Sequence, residues 1–517
     1  MRQDKTATST STIMRPVATA SLLLTLAAAP AHALTTFTAG TPAKASEVND
    51  NFIELSDRID ALEAIHSGET INVDCGSDAD ALLSAMDDAG AGDTVVITGT
   101  CNGPIFADRH ALTLQANTPG VDGITAPGDS TAVLSVAARH ITVQGLLLTA
   151  TVPTSSIGLL VFRNGSATID NLAATGAQYS VVVARAASAR MKNTGDIDVV
   201  NAVSGGSLRI EGGNSDFSIG AYRNATVEVR PSAAGSVFEG IELADGGVFR
   251  SRGSSTNITV NGKVALYRSS NAYFEGPLVL NYDDDPQTED SGLIALENST
   301  LRLKNATINT MTEIAGSSTL RAFSSAFKEY GNPNNGGFIY AGLSSAVVLH
   351  GGSAGGIELT EKSSVALDGT TLSGTNIWGE DMALEIDTGV VNAEGATIND
   401  DVYVVSNGVF EMEGSTLNGD LIAYGNATVS VEEGSTINAT RATSGNCPSE
   451  WNEGIQLSQG SMVTVQDSAS SISGYIFIGG LSSFGAWEIT NLPNVDADPG
   501  TKSQLDSQGH TGINACM

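Results

Sequence analysis

The sequence predicts an all-β chain, a right-handed parallel β-helix (solenoid) with an N-terminal capping helix and a short amphipathic, coiled-coil-like helix before it. Three observations carry this. A short phrase recurs: Glu394-Gly395, Glu413-Gly414 and Glu433-Gly434 are spaced by 19 and then 20 residues. Within each unit the apolar residues alternate, as in a strand with one buried face. The composition suits short strands and turns: 57 of 517 residues are Gly, 16% are charged and 5% aromatic.

The repeat is plainest in "EMEGSTLNGDLIAYGNATVSVEEGSTINA", Glu411 to Ala439, and returns in "NAEGATIND", "ALDGTTLSG" and "RLKNATINT". The inward sets are Val365, Leu367 and Leu372; Val391, Ala393 and Ile398; Phe410, Met412 and Leu417; Val429, Val431 and Ile437. Such a unit cannot bury its own apolar face, but stacked copies bury a continuous core. The inward residues vary too freely for leucine-rich repeats. A propeller would need units of about 40 residues with aromatic signatures. Residues 69–490 form the predicted β-helix, with room for roughly 16–20 coils at ~4.8 Å each.

The other elements follow in chain order. Residues 1–33 read as a secretory signal peptide. Arg2, Lys5 and Arg15 precede the apolar run "VATASLLLTLAAAP", and "AHA" at Ala31 to Ala33 is a small-x-small cleavage site. Met14 is an alternative start. The apolar run is too short for a membrane span, and no later stretch is long enough. The chain is therefore expected outside the inner membrane: extracellular, on the cell surface or periplasmic. Removal of Arg2, Lys5, Arg15 and Asp4 from totals of 25 basic and 57 acidic residues leaves 22 and 56, a net charge of −34. That balance argues against nucleic acid and anionic membranes as partners.

Residues 34–68 are a linker with an amphipathic helix. Val48, Phe52, Leu55, Ile59 and Leu62 fall at heptad spacing, so residues 46–65 could form a homo-oligomer or lie against the rod. A helix from Asp78 to Gly92, with Leu82, Leu83 and Met86 inward, would cover the first coil, since an open sheet end needs covering. Residues 491–517 would form a capping tail. The four cysteines, Cys75, Cys101, Cys447 and Cys516, suit two disulfides in an exported protein. Of the three possible pairings, sequence proximity favours Cys75–Cys101 and Cys447–Cys516. The sequons at Asn164, Asn224, Asn298, Asn305, Asn426 and Asn438 are expected to be turn residues rather than glycan sites.

"INVDCGSDADALLSAMDDAGAGDTVVITGTC", followed by "ALTLQA" and "HITVQGLLLTA", resembles the opening of bacterial secreted right-handed β-helix proteins of the pectin-lyase-like superfamily. The resemblance is close over about residues 71–150 and rests on the repeat beyond. It implies the fold. Activity is not implied, because this architecture carries lyases, hydrolases, adhesins and inert rods.

The search for chemistry finds no complete catalytic set. "NTGD" at Asn193, Arg302-Leu303-Lys304 and "QGHTG" at Gln508 are scattered fragments of the polygalacturonase-like pattern. "GGSAG", with Ser353 beside His350, matches a nucleophile elbow only in letters, because the elbow requires a strand-to-helix turn. "NYDDDPQTED" offers Asp283, Asp284, Asp285, Glu289 and Asp290 as hard oxygen ligands for Ca²⁺, or as a solvated loop. Arg109, Arg139, Arg163, Arg185, Arg223 and Arg268 recur before strands, with His110 and His140 following the first two. Stacked, they would form a cationic column. Arg139, Arg163, Arg185, Arg223 and Arg268 are accordingly the candidate groove for an acidic polysaccharide, since guanidinium forks suit carboxylate and sulfate. Alternatively each pairs with a neighbouring carboxylate. The expected function is a non-catalytic adhesion or glycan-binding rod. The alternative is a lyase or hydrolase of an acidic polysaccharide.

Overall fold

The computed structural model describes residues 68–517 except 128–129, 152–155, 213–215, 254, 283–290, 330–331, 375–381, 440–454, 467–468, 474–475, 481, 487–494, 498–512 and 516–517. The signal segment, the residue 46–65 helix, Cys447, Cys516 and the Asp283–Asp290 loop therefore lie outside the described residues.

The chain from Gly68 onward is a parallel β-solenoid of about 16 turns. Each coil contributes strands to columns whose neighbours come from the coils before and after. The first column holds strands such as Val390–Glu394, Val409–Glu413 and Thr428–Glu432. The second holds short strands such as Thr397–Asn399 and Thr436–Asn438. The third holds Asp401–Val405 and Leu421–Ala423. Two long strands, Thr319–Glu329 and Ala346–Ala354, run through both the first and second columns.

The recurring phrase is one corner of a coil. In Val409–Glu413, Phe410 and Met412 are buried while Glu411 and Glu413 face out. Gly414 turns the chain at φ 57°, a conformation glycine adopts without Cβ strain. The Ser415 hydroxyl is buried there. It donates to Ala393 O at 2.8 Å and accepts from Ala396 N–H at 2.9 Å, so it fastens one corner to the coil before. Thr416 and Leu417 open the next strand. The Asn that follows joins a ladder: Asn438 Nδ2 donates to Asn418 Oδ1 at 2.9 Å, and Asn418 Nδ2 to Asn399 Oδ1 at 2.8 Å. The Ser and the Asn of the phrase thus each have a side-chain partner one coil away.

Register keeps like above like. Val391, Phe410 and Val429 are successive Cα partners, as are Ile398, Leu417 and Ile437. All the inward residues predicted for the four repeat units are buried. Phenylalanines pack against one another in the core, Phe217 against Phe238 at 5.3 Å and Phe249 against Phe274 at 5.0 Å between centroids. Each fully buried Phe side chain contributes about 1.5–3 kcal/mol.

Helix α1, Ala81–Asp88, is shorter than the expected span and turns a different residue inward. Leu82, Ala85 and Met86 join the solenoid core, whereas Leu83 is 43% exposed. The chain leaves the helix at Ala89, which is extended. The Asp93 carboxylate then accepts from Gly90 N–H at 2.7 Å and Glu69 N–H at 2.8 Å, holding the return into the next strand. Cys75 and Cys101 form a disulfide. Five of the six sequon asparagines, Asn164, Asn224, Asn298, Asn305 and Asn426, sit in left-handed turns. Asn438 lies in a strand.

Candidate functional site

The turn arginines form a column with one exception. Arg163, Arg185, Arg223 and Arg268 each stand three residues before a first-sheet strand, with φ of 54°, 55°, 55° and 50°. Turn amides tie successive coils together: Asn164 N–H donates to Arg185 O, Gly205 N–H to Arg223 O and Gly246 N–H to Arg268 O. Ser204, Asp245 and Glu297 occupy the same position on neighbouring coils. Arg268 is paired, 3.1 Å from Asp245 and 3.6 Å from Glu297. The Arg163 guanidinium lies 5.1 Å from the Phe162 ring centroid. Arg139 departs from this pattern because its turn is shorter. There His140 is the left-handed residue, and Arg139 N–H donates to His110 Nδ1. Arg109 pairs with Asp108.

The larger concentration of positive charge is on the outer face of the first sheet, beside these turns. Arg190, Arg209, Glu228, Arg250, Tyr273, Arg302 and Arg321 are consecutive Cα partners on seven coils. At ~4.8 Å per coil the row is about 29 Å long. Two residues further along the same strands lie Lys192, Glu211, Arg230 and Lys304. Arg252 follows the strand Val248–Ser251.

Glu211 and Glu228 serve several cations each. Glu211 meets Arg190 through a hydrogen-bonded ion pair, and meets Arg209 in an ion contact without hydrogen-bond geometry. Glu228 accepts from Arg230 Nε at 2.7 Å, with Arg252 at 3.6 Å and Arg209 at 4.0 Å. Burial would raise the Glu211 pKa. The Arg190 hydrogen bond and the charges of Arg190, Arg209 and Arg230 outweigh it and hold the carboxyl below its ordinary value.

Other cations of this face lack such partners. Among the described residues, Lys192, Arg250, Arg302, Lys304 and Arg321 have no carboxylate within 4 Å. Two lie against rings instead, Arg250 5.5 Å from the Tyr273 centroid and Arg302 5.2 Å from Phe323. Phe323 stacks on His350 at 4.8 Å, and His350 Nδ1 is 2.8 Å from Asp368. The surface then changes sign: Asp368, Glu394, Glu413 and Glu432 are successive Cα partners.

Sequence reasoning singled out turn arginines and missed those within strands. A signal was present. Arg190, Arg209, Arg302 and Arg321 are each the third residue of a strand that opens "S-x-R" or "T-x-R", hence outward in an alternating strand.

Ser353 lies within the strand Ala346–Ala354, so "GGSAG" lacks the strand-to-helix turn of a nucleophile elbow. Among the described residues no group of three or more His, Cys, Asp or Glu side chains is placed to hold a metal ion; Asp283, Asp284, Asp285, Glu289 and Asp290 lie outside those residues. No protein-family model matches the chain, and no curated protein matches its sequence.

Proposed function

We propose that this chain is an exported, right-handed solenoid rod that binds an acidic polysaccharide along its first sheet without cleaving it. The observation that carries this reading is the run of cations without carboxylate partners, Arg250, Arg302, Lys304 and Arg321, interleaved with Tyr273 and Phe323 on adjacent coils. Guanidinium forks bind carboxylate or sulfate in two-pronged fashion, and flat rings cover the apolar faces between them. Arg163, Arg185 and Arg223 extend the cationic surface to the sheet edge. The right hand follows the general preference of parallel crossovers, and export is supported by the disulfide.

A lyase or hydrolase reading rests on one arrangement of its own. Glu358 and Glu385 are Cα partners on the third sheet. Burial, then the charges of Glu385 and Asp387, raise the Glu358 pKa, as an acid catalyst requires.

One set of assays decides. Purified protein is titrated with heparin, alginate and polygalacturonate while products are followed for unsaturated and reducing ends. The expected result is binding that weakens with salt, at least a tenfold loss of affinity in the triple variant Arg250→Ala, Arg302→Ala, Arg321→Ala (about 1.4 kcal/mol), and no product. Equal affinity in the triple variant, or no binding to any of the three, overturns the strip. Product formation abolished by Glu358→Gln replaces the non-catalytic reading.

A further inference from the structure

A groove runs along the outer face of the third sheet, and none of the strip's side chains line it. Its volume is about 710 Å³, within the ~300–1,000 Å³ of small-molecule sites. Its floor is a register row: Val182, Asn201, Gly220, Glu242 and Ala265 are Cα partners on successive coils. Tyr179, Tyr222 and Tyr267 lie along it.

Gly220 explains how the polar groups converge. A β-carbon there would sit 2.3 Å from Asn201 Oδ1, 2.5 Å from Tyr222 Cε2 and 2.9 Å from the Tyr222 hydroxyl. An amide oxygen and a phenol thus close over a bare patch of backbone, which any side chain at 220 would block. Burial first, then the charge of the nearby Glu242 carboxylate, raises the Tyr222 hydroxyl's pKa.

Asn201 is the unusual member. It is only 7% exposed, and its Oδ1 has no hydrogen-bond partner. A buried acceptor without a donor lowers stability. The neighbour on the preceding coil, Val182, shows that an apolar side chain fits this row.

We propose that the groove binds an uncharged saccharide, with a sugar ring against the tyrosines and a ring hydroxyl donating to Asn201 Oδ1. A sugar ring supplies both an apolar face and several donors at its edge. The acceptors Asn201 and Glu242 disfavour an acidic sugar. Lys263, which lines the same groove, disfavours an ammonium ligand.

The test titrates the full chain with cellohexaose, xylohexaose, mannohexaose, maltohexaose and N-acetylchitohexaose by calorimetry. At least one should bind, with affinity insensitive to salt. Asn201→Leu should lose that affinity tenfold or more while raising the melting temperature, because the unpartnered acceptor is gone. Glu242→Gln, at an exposed position, is the second variant and should weaken binding with the fold unchanged. The triple arginine variant should bind the neutral sugar as the wild type does, which separates this site from the first-sheet strip. Absence of binding to all five sugars, or unchanged affinity in both Asn201→Leu and Glu242→Gln, overturns the proposal.

Discussion

Single residues at the corners decide how tightly coils are fastened. Ser415 is 1% exposed, and its hydroxyl makes contacts that an alanine cannot replace. Ser415→Ala leaves Ala396 N–H buried without an acceptor, so unfolding free energy should fall by about 1–3 kcal/mol; an unchanged denaturation midpoint would show the hydroxyl to be dispensable. Leu343 presents the opposite case. It holds φ 52° and is 55% exposed, so it combines left-handed strain with apolar surface in water. Leu343→Gly should stabilise the protein by about 1 kcal/mol, since glycine adopts that conformation without the Cβ clash. A lower urea midpoint in this variant would mean that the leucine makes a contact worth more than the strain.

At the scale of an element, stacking turns chemistry into columns. The Asn and Ser columns are self-complementary, because an amide or a hydroxyl both donates and accepts. Carboxylates are not. The charge of Glu433, then burial, then Glu394, Glu432 and Glu411, raise the Glu413 pKa. A carboxyl raised on folding contributes stability below the ordinary carboxylate range, and this is lost as pH rises through the raised value. Glu413→Gln should therefore melt higher than wild type at pH 7 in low salt. The difference should vanish near pH 4 and shrink at high salt. Equal melting at pH 7 in 10 mM buffer would show that solvent already screens the column. Glu211 titrates in the other sense. Its lowered pKa means that its ion pairs contribute above the ordinary carboxylate range and are lost as the pH falls through the lowered value.

At the scale of the whole molecule, a solenoid's stability is local, because each coil touches only its neighbours. The disulfide Cys75–Cys101 closes a loop of 26 residues near the start of the rod, and such a cross-link contributes roughly 3 kcal/mol. Cys75→Ser with Cys101→Ser should speed amide exchange in Thr70–Asp74 and Thr94–Thr98. Coils around Val409–Glu413 should keep wild-type protection. Uniform loss of protection along the chain would instead mean that the rod unfolds as one cooperative unit.

The sequence by itself determined the strand period, the identity of the inward residues, the corner phrase and the pairing of Cys75 with Cys101. Each depends on alternation, turn chemistry or short separation along the chain, and all of these are local. It placed both Leu82 and Leu83 inward, but adjacent helix residues point in different directions, and packing against the first coils buries Leu82 and leaves Leu83 exposed. The surfaces were decided by tertiary structure. Arg250, Tyr273 and Arg302 are separated by 23 and then 29 residues along the chain, yet are neighbours on the first sheet. Asn201, Gly220 and Glu242 meet in the same way on the third. Coil length varies with each loop insertion, so no fixed period in the sequence reports which outward residues stack. Only the hydrogen-bonded register between coils sets that, and with it where charge accumulates and where a groove opens.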